Sequence, residues 1–142
     1  MGEERQWVGI DVSQAKLDVA LRPSGRCCQV SNDESGWSQL VGGFAGLAIA
    51  GVVLESTGGM ERGVVQVLQR QEIAVAVINP KRARDFSKAC GRWAKTDRID
   101  AEVLAHFGEA LQPLPKPLAS EEQEVLSDLV YLVEGVQLAS KT

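Results

Sequence analysis

Two short apolar runs restrict the fold of this chain more than any other feature. Residues 7–12 read WVGIDV and residues 51–56 read GVVLES, and each has one carboxylate, Asp11 or Glu55, next to its C-terminal end. Runs this short and this uniformly apolar suit strands covered on both faces, as in the centre of a parallel or mixed sheet. A carboxylate there is costly without a partner. Ligands of open parallel sheets gather at the carboxyl ends of the strands, where both acids stand.

Strand and helix signals alternate around these runs. Residues 16–21 (KLDVAL) alternate apolar and polar, and residues 27–31 are again strand-like, with Pro23, Ser24 and Gly25 supplying the turn between them. Asp33 or Ser35 can cap a helix reaching about Leu47, although Gly42, Gly43 and Gly46 weaken its second half. After Glu55, Thr57-Gly58-Gly59 turns the chain into a helix over 61–71, and AVAVI at 74–78 repeats the buried-strand signal. Asn79-Pro80 stops that strand, and residues 81–90 and 97–111 read as two helices separated at Gly91. The order βββαβαβαα predicts an α/β domain over 1–112, with three antiparallel strands followed by parallel strands flanked by helices. Pro113, Pro115 and Pro117 form a stiff connector over 113–119, and a further helical segment begins within 120–142 with Ser120 as its cap. Its stripe of Leu126, Leu129, Val133 and Val136 suits a docking or dimer helix, or a terminal helix packed on the core.

The net charge of -4 hides an uneven distribution. Lys81, Arg82, Arg84, Lys88, Arg92, Lys95 and Arg98 face only Asp85 and Asp97 within their stretch, a local +5, leaving -9 for the remainder. Such a run is either a solvated helix face or a phosphate-binding surface. No apolar run approaches the ~18 residues of a membrane helix, and the acidic start at Glu3-Glu4 is no secretory signal, so a cytoplasmic location is expected. Cys27, Cys28 and Cys90 are odd in number and form no CxxC pair, which argues against a disulfide framework or a zinc knuckle and for buried, reduced thiols.

A third acidic element is Lys95-Thr96-Asp97-Arg98-Ile99-Asp100-Ala101. Three-residue spacing puts both aspartates on one helical face, but an acid at a helix start with another three later also resembles a capping box. Rotation by ~100° per residue places Asp97, Asp100, Leu104, Phe107 and Leu111 on one arc, with Arg98, Glu102 and Glu109 opposite. The acids thus continue the apolar stripe, as acids delivered to a site at the core's rim must. Asp11, Glu55, Asp97 and Asp100 together can supply the oxygen ligands for two magnesium or manganese ions, a pair suited to phosphodiester chemistry.

Four segments in order, GIDVSQAKLDVA from Gly9, LESTGG from Leu54, VINP from Val77 and AKTDRIDA from Ala94, make the chain resemble the DEDD transposases of insertion sequences. That group also contains the pilin gene-inverting recombinase. The resemblance covers residues 7–117 and implies an RNase H-like fold close to that of Holliday-junction resolvases, with Asp11, Glu55, Asp97 and Asp100 as catalytic, metal-binding acids. It also implies DNA as partner, with a structured guide RNA in some members. Backbone contact is then expected from Lys81, Arg82, Arg84, Lys88, Arg92, Lys95 and Arg98, while the apolar stripe of the last helix makes homo-oligomerisation through it the separate expectation. Longer members carry a nucleophilic serine in a separate C-terminal domain, so none of this chain's own serines is assigned that role. Trp93 reads as a packing residue and His106 as a surface one. Two other readings compete: an autonomous RuvC-like nuclease using water as nucleophile, and a non-catalytic nucleic-acid-binding and dimerisation module in which the acids are caps.

Overall fold

A computed structural model describes residues 4–91 and 100–117. The chain forms β1 (Gln6–Val12), β2 (Lys16–Arg22), β3 (Cys27–Ser31), α1 (Glu34–Phe44), β4 (Ile49–Glu55), α2 (Arg62–Arg70), β5 (Val75–Ile78), α3 (Pro80–Ala89) and α4 (Ala101–Leu111). One five-stranded sheet has the order β3-β2-β1-β4-β5. β1, β2 and β3 pair antiparallel, while β4 joins β1 and β5 joins β4 in parallel. This α/β arrangement is the one the element order predicts.

The expected runs become central strands because helices cover both sheet faces. Val8, Ile10, Leu17, Val19, Val52, Leu54 and Val75 turn to the face covered by α1 and α2, where Leu40, Phe44, Val64, Val65 and Leu68 complete the larger core. Alternate residues face the other way: Val53 and Ile78 pack with Ala83 of α3 and Val103, Leu104 and Phe107 of α4. Gly9 lies on this second face, where the α4 backbone comes so close that a β-carbon would overlap Ala101 and Ala105 and approach the Leu104 carbonyl carbon to 2.9 Å. Gly108, farther along α4, lies over the Trp7 ring. The helix therefore runs antiparallel to β1, with its N-terminus toward the strand end that carries Asp11.

Local chemistry explains the element boundaries. Asp33 caps α1, accepting from Gly36 N at 2.8 Å while the Ser31 hydroxyl donates to the same carboxylate oxygen at 2.7 Å. That helix ends at Phe44 rather than Leu47, and Gly46 has the positive φ of +81° that a reversing chain needs. Asn79 caps α3 through Lys81 N at 2.7 Å, with Pro80 in the first turn, where no N–H is missed. The Pro-rich segment lies along the β5 edge rather than standing away from the domain: Lys116 N donates to Val75 O at 2.7 Å and Gln69 Nε2 to Lys116 O at 3.2 Å.

The three cysteines are exposed, against the expectation of buried thiols. Cys27 and Cys28 lie on β3, which among the described residues is an edge strand of the sheet, and Cys90 is the C-cap of α3. His106 also departs from its expected place at the surface. It is half-buried, with its ring edge-on to Phe86 at 5.0 Å between centroids, because α3 folds over that side of α4.

Candidate metal centre

Parallel pairing of β1 with β4 matches Ile10 to Leu54, so the next residues, Asp11 and Glu55, stand side by side at the carboxyl ends of the two central strands. Each is two residues beyond a side chain position that faces α4, Gly9 or Val53, and so shares that face. Both are half-buried. Burial pushes the Glu55 carboxyl above its ordinary range, the Asp11 charge adds to the rise, and the Arg84 guanidinium partly offsets it. Among the described residues of the basic stretch, Arg84 is thus one whose charge acts on Glu55.

Asp100 is exposed and serves as N-cap of α4, accepting from Val103 N at 2.9 Å. The helix accordingly starts at Ala101, not at Asp97, because the Asp100 backbone is extended (φ -96°, ψ 174°). The capping role weighed from the sequence is real for this residue. The N-terminus of α4 points toward the strand end that carries Asp11, but Asp100 does not group with Asp11 and Glu55 closely enough for the three to hold a metal ion. Leu104 and Phe107 are buried as their arc predicts, whereas Leu111 at the helix end is 52% exposed. Asp97 lies outside the described residues, as do Arg92, Trp93, Lys95, Arg98 and the segment 120–142. Among the described residues no three His, Cys, Asp or Glu side chains are grouped closely enough to hold a metal ion. Asp11 and Glu55 are hard oxygen donors of the kind that magnesium and manganese take, and their repulsion is of the kind a cation relieves.

Lys81, Arg82, Arg84 and Lys88 are all exposed on α3, and Arg82 lies over the Phe107 ring, 5.2 Å from its centroid. Sequence reasoning missed a further acid: Asp18 is directly opposite Asp11 in the β1–β2 pair and accepts from Gln29 Nε2 at 2.7 Å. Its place in the polar phase of KLDVAL was the available signal. It also missed Glu61, whose carboxylate accepts from Thr57 N at 3.3 Å, from Gly59 N at 3.2 Å and from the Thr57 hydroxyl, bracing the loop that follows Glu55.

A transposase family model, that of the DEDD transposases of insertion sequences, matches residues 8–135. The chain belongs to this DEDD transposase family. It is 22% identical over 125 residues to the pilin gene-inverting protein of Moraxella lacunata, covering 83% of the present chain and 39% of that protein's length. In three dimensions it is similar to T. thermophilus RuvC, solved in complex with a Holliday junction substrate, with a TM-score of 0.56 at 10% identity over 80% of this chain and all of that one. The fold of this family member is therefore RuvC-like, that is, RNase H-like. No helix among its described residues is long and apolar enough to cross a membrane.

Proposed function

We propose that this chain is the metal-binding catalytic domain of a DNA transposase or site-specific recombinase, in which Asp11, Glu55, Asp97 and Asp100 hold two magnesium or manganese ions for DNA strand cleavage and transfer. The observation that carries this reading is the adjacency of Asp11 and Glu55 at the ends of two parallel strands in a member of a transposase family. When bound, such ions make the attacking oxygen more acidic and offset charge on the leaving oxygen. The chain's own residues orient the strand. Arg84, close enough to influence Glu55, and Lys81 and Lys88 on the same helix contact phosphates without reading bases. Arg92, Lys95 and Arg98 extend that surface, and Lys95 and Arg98 flank Asp97.

Residues 1–112 form the catalytic domain in this reading, 113–119 the connector, and 120–142 the start of a helical segment through which copies associate in the cytoplasm. The nucleophilic serine comes from a separate C-terminal domain, in keeping with a chain that spans 39% of its inverting relative. DNA is the substrate, and a structured guide RNA is the further partner to test. A manganese soak of crystals of this chain is the direct check: anomalous density touching at least three of the four carboxylates is expected. Acids spread over separate surfaces would sink the assignment.

One observation favours a second reading. The RuvC of the junction complex is covered over its whole length by this chain, so an autonomous nuclease would fit within these residues. It requires magnesium-dependent cutting of branched DNA by the chain alone, and lack of cutting removes it. A non-catalytic binding module is removed if Asp11→Ala leaves fold and nucleic-acid binding intact but abolishes recombination by the protein with its serine domain.

A further inference from the structure

Asp11 and Glu55 are held at their backbones by the sheet, whose β1–β4 pairing matches residues up to Ile10 and Leu54. The loops leaving these two strands meet again at Asn32, which stands between β3 and the Asp33 cap of α1. Its side-chain Nδ2 donates to Ser13 O at 2.9 Å, two residues past Asp11, and to Met60 O at 3.1 Å, five residues past Glu55. Its backbone N donates to Ala15 O at 3.0 Å in the same β1–β2 turn. Trp37 Nε1 donates to Asn32 Oδ1 at 2.9 Å.

These partners determine how the amide is turned. An indole N–H can only donate, so it must face the amide oxygen, and the two carbonyls can only accept, so they must face the amide nitrogen. Trp37 is itself held in place, because its ring packs where a β-carbon on Gly63 would stand, 2.2 Å from the ring's nearest atom being far inside contact distance. Gly36 of the same α1 turn likewise leaves no room for a side chain against Ser31. The amide is thus oriented from a rigid helix and joins two loops that the sheet does not pair. Glu61 stiffens the second loop independently by gathering Thr57 and Gly59.

Resting on the metal-site reading above, we infer that Asn32 is a positioning residue which sets the separation of Asp11 and Glu55 by bracing the two loops that follow them, with Trp37 orienting its amide. Outer residues that hold ligands in place are worth about 10- to 100-fold in metal affinity. The test is manganese titration calorimetry on the full chain and on Asn32→Ala, Trp37→Phe and Phe44→Leu, together with amide hydrogen exchange at Ser13, Thr57 and Gly59. Phe44 is a buried core residue at the far end of α1 and serves as a control for general loss of stability.

Manganese affinity is expected to fall about tenfold or more in Asn32→Ala and to fall in the same direction in Trp37→Phe. Phe44→Leu should keep the wild-type affinity. Exchange at Ser13 and at the Thr57–Gly59 loop should accelerate together in Asn32→Ala. Unchanged affinity in Asn32→Ala with a wild type that binds manganese overturns the positioning role and leaves the metal site standing. If the wild type binds no manganese, the metal reading fails on its own, and exchange then decides: acceleration of only one loop, or of neither, overturns the brace as well.

Discussion

Gly9→Ala places a methyl group where the sheet and α4 are in backbone contact. The new carbon would overlap atoms of Ala101 and Ala105, and none of these is the end of a flexible side chain that can swing aside. Relief requires α4 to lift from β1. Overpacking that a core can absorb costs about 1–3 kcal/mol, and full detachment would expose Leu104 and Phe107, both exposed to 1% or less in the folded chain, at about 1.5–3 kcal/mol each. The expected loss is therefore about 3 kcal/mol, bounded above by about 6 kcal/mol. At a urea dependence of about 2 kcal/mol/M, the unfolding midpoint falls by about 1.5 M. Gly42→Ala is the matched control, since that helical glycine has no atom within 4 Å of an added β-carbon, and it should stabilise by about 0.5–1 kcal/mol. A Gly9→Ala midpoint equal to wild type would refute the close crossing of α4 over β1, and with it the direction in which Asp100 is delivered.

Other perturbations test separate parts of the structure. Because the folded chain holds the Glu55 proton more tightly than the unfolded chain does, the contribution of this group to stability is present at acid pH and is lost as pH rises from the ordinary value of 4.5 through the raised folded value. Thermal melts of the metal-free protein between pH 4 and 7 should show that decline, and Glu55→Gln should flatten it; identical profiles would mean the carboxyl is not raised. Arg84→Ala removes the offsetting charge, and carbon-13 NMR titration should find the Glu55 carboxyl higher still. Asn79→Ala takes the cap from α3 at a cost of about 1 kcal/mol, read as a melting temperature lower by about 4 °C. Arg22→Ala breaks the 3.1 Å pair with Glu109, but with both side chains more than a third exposed the loss should stay below about 1 kcal/mol in urea titration.

Much of the fold was legible because strand and helix periods are local properties of the chain. All five strands and the α1 to α3 helices stand within a few residues of where apolar runs and turn residues put them, and the misses fall at ends, where caps decide. Asp33 and Asn79 behave as their types predict. For α4 the same local rule misled: the Asp97–Asp100 spacing suggested a helix through both acids, whereas the Asp100 side chain takes the Val103 N–H and the helix begins after it. Cys27 and Cys28 were misplaced because a strand's exposure depends on whether it lies at the sheet edge, which no run of residues encodes by itself, and Cys90 because it falls at the end of α3 rather than on its buried face.

The sequence by itself determined which carboxylates end the two apolar strands, since Asp11 and Glu55 are fixed to those positions by covalent order and by the two-residue period of a strand. Only the tertiary structure decided that these strands are parallel neighbours in a register that matches Ile10 to Leu54, that Asp18 lies across from Asp11, and that Asn32 ties their loops. Apart from the Asp11–Asp18 hairpin pair, these juxtapositions join residues 19 or more positions apart. They depend on sheet order and on helix crossings, which are set by how the whole chain buries its apolar faces together.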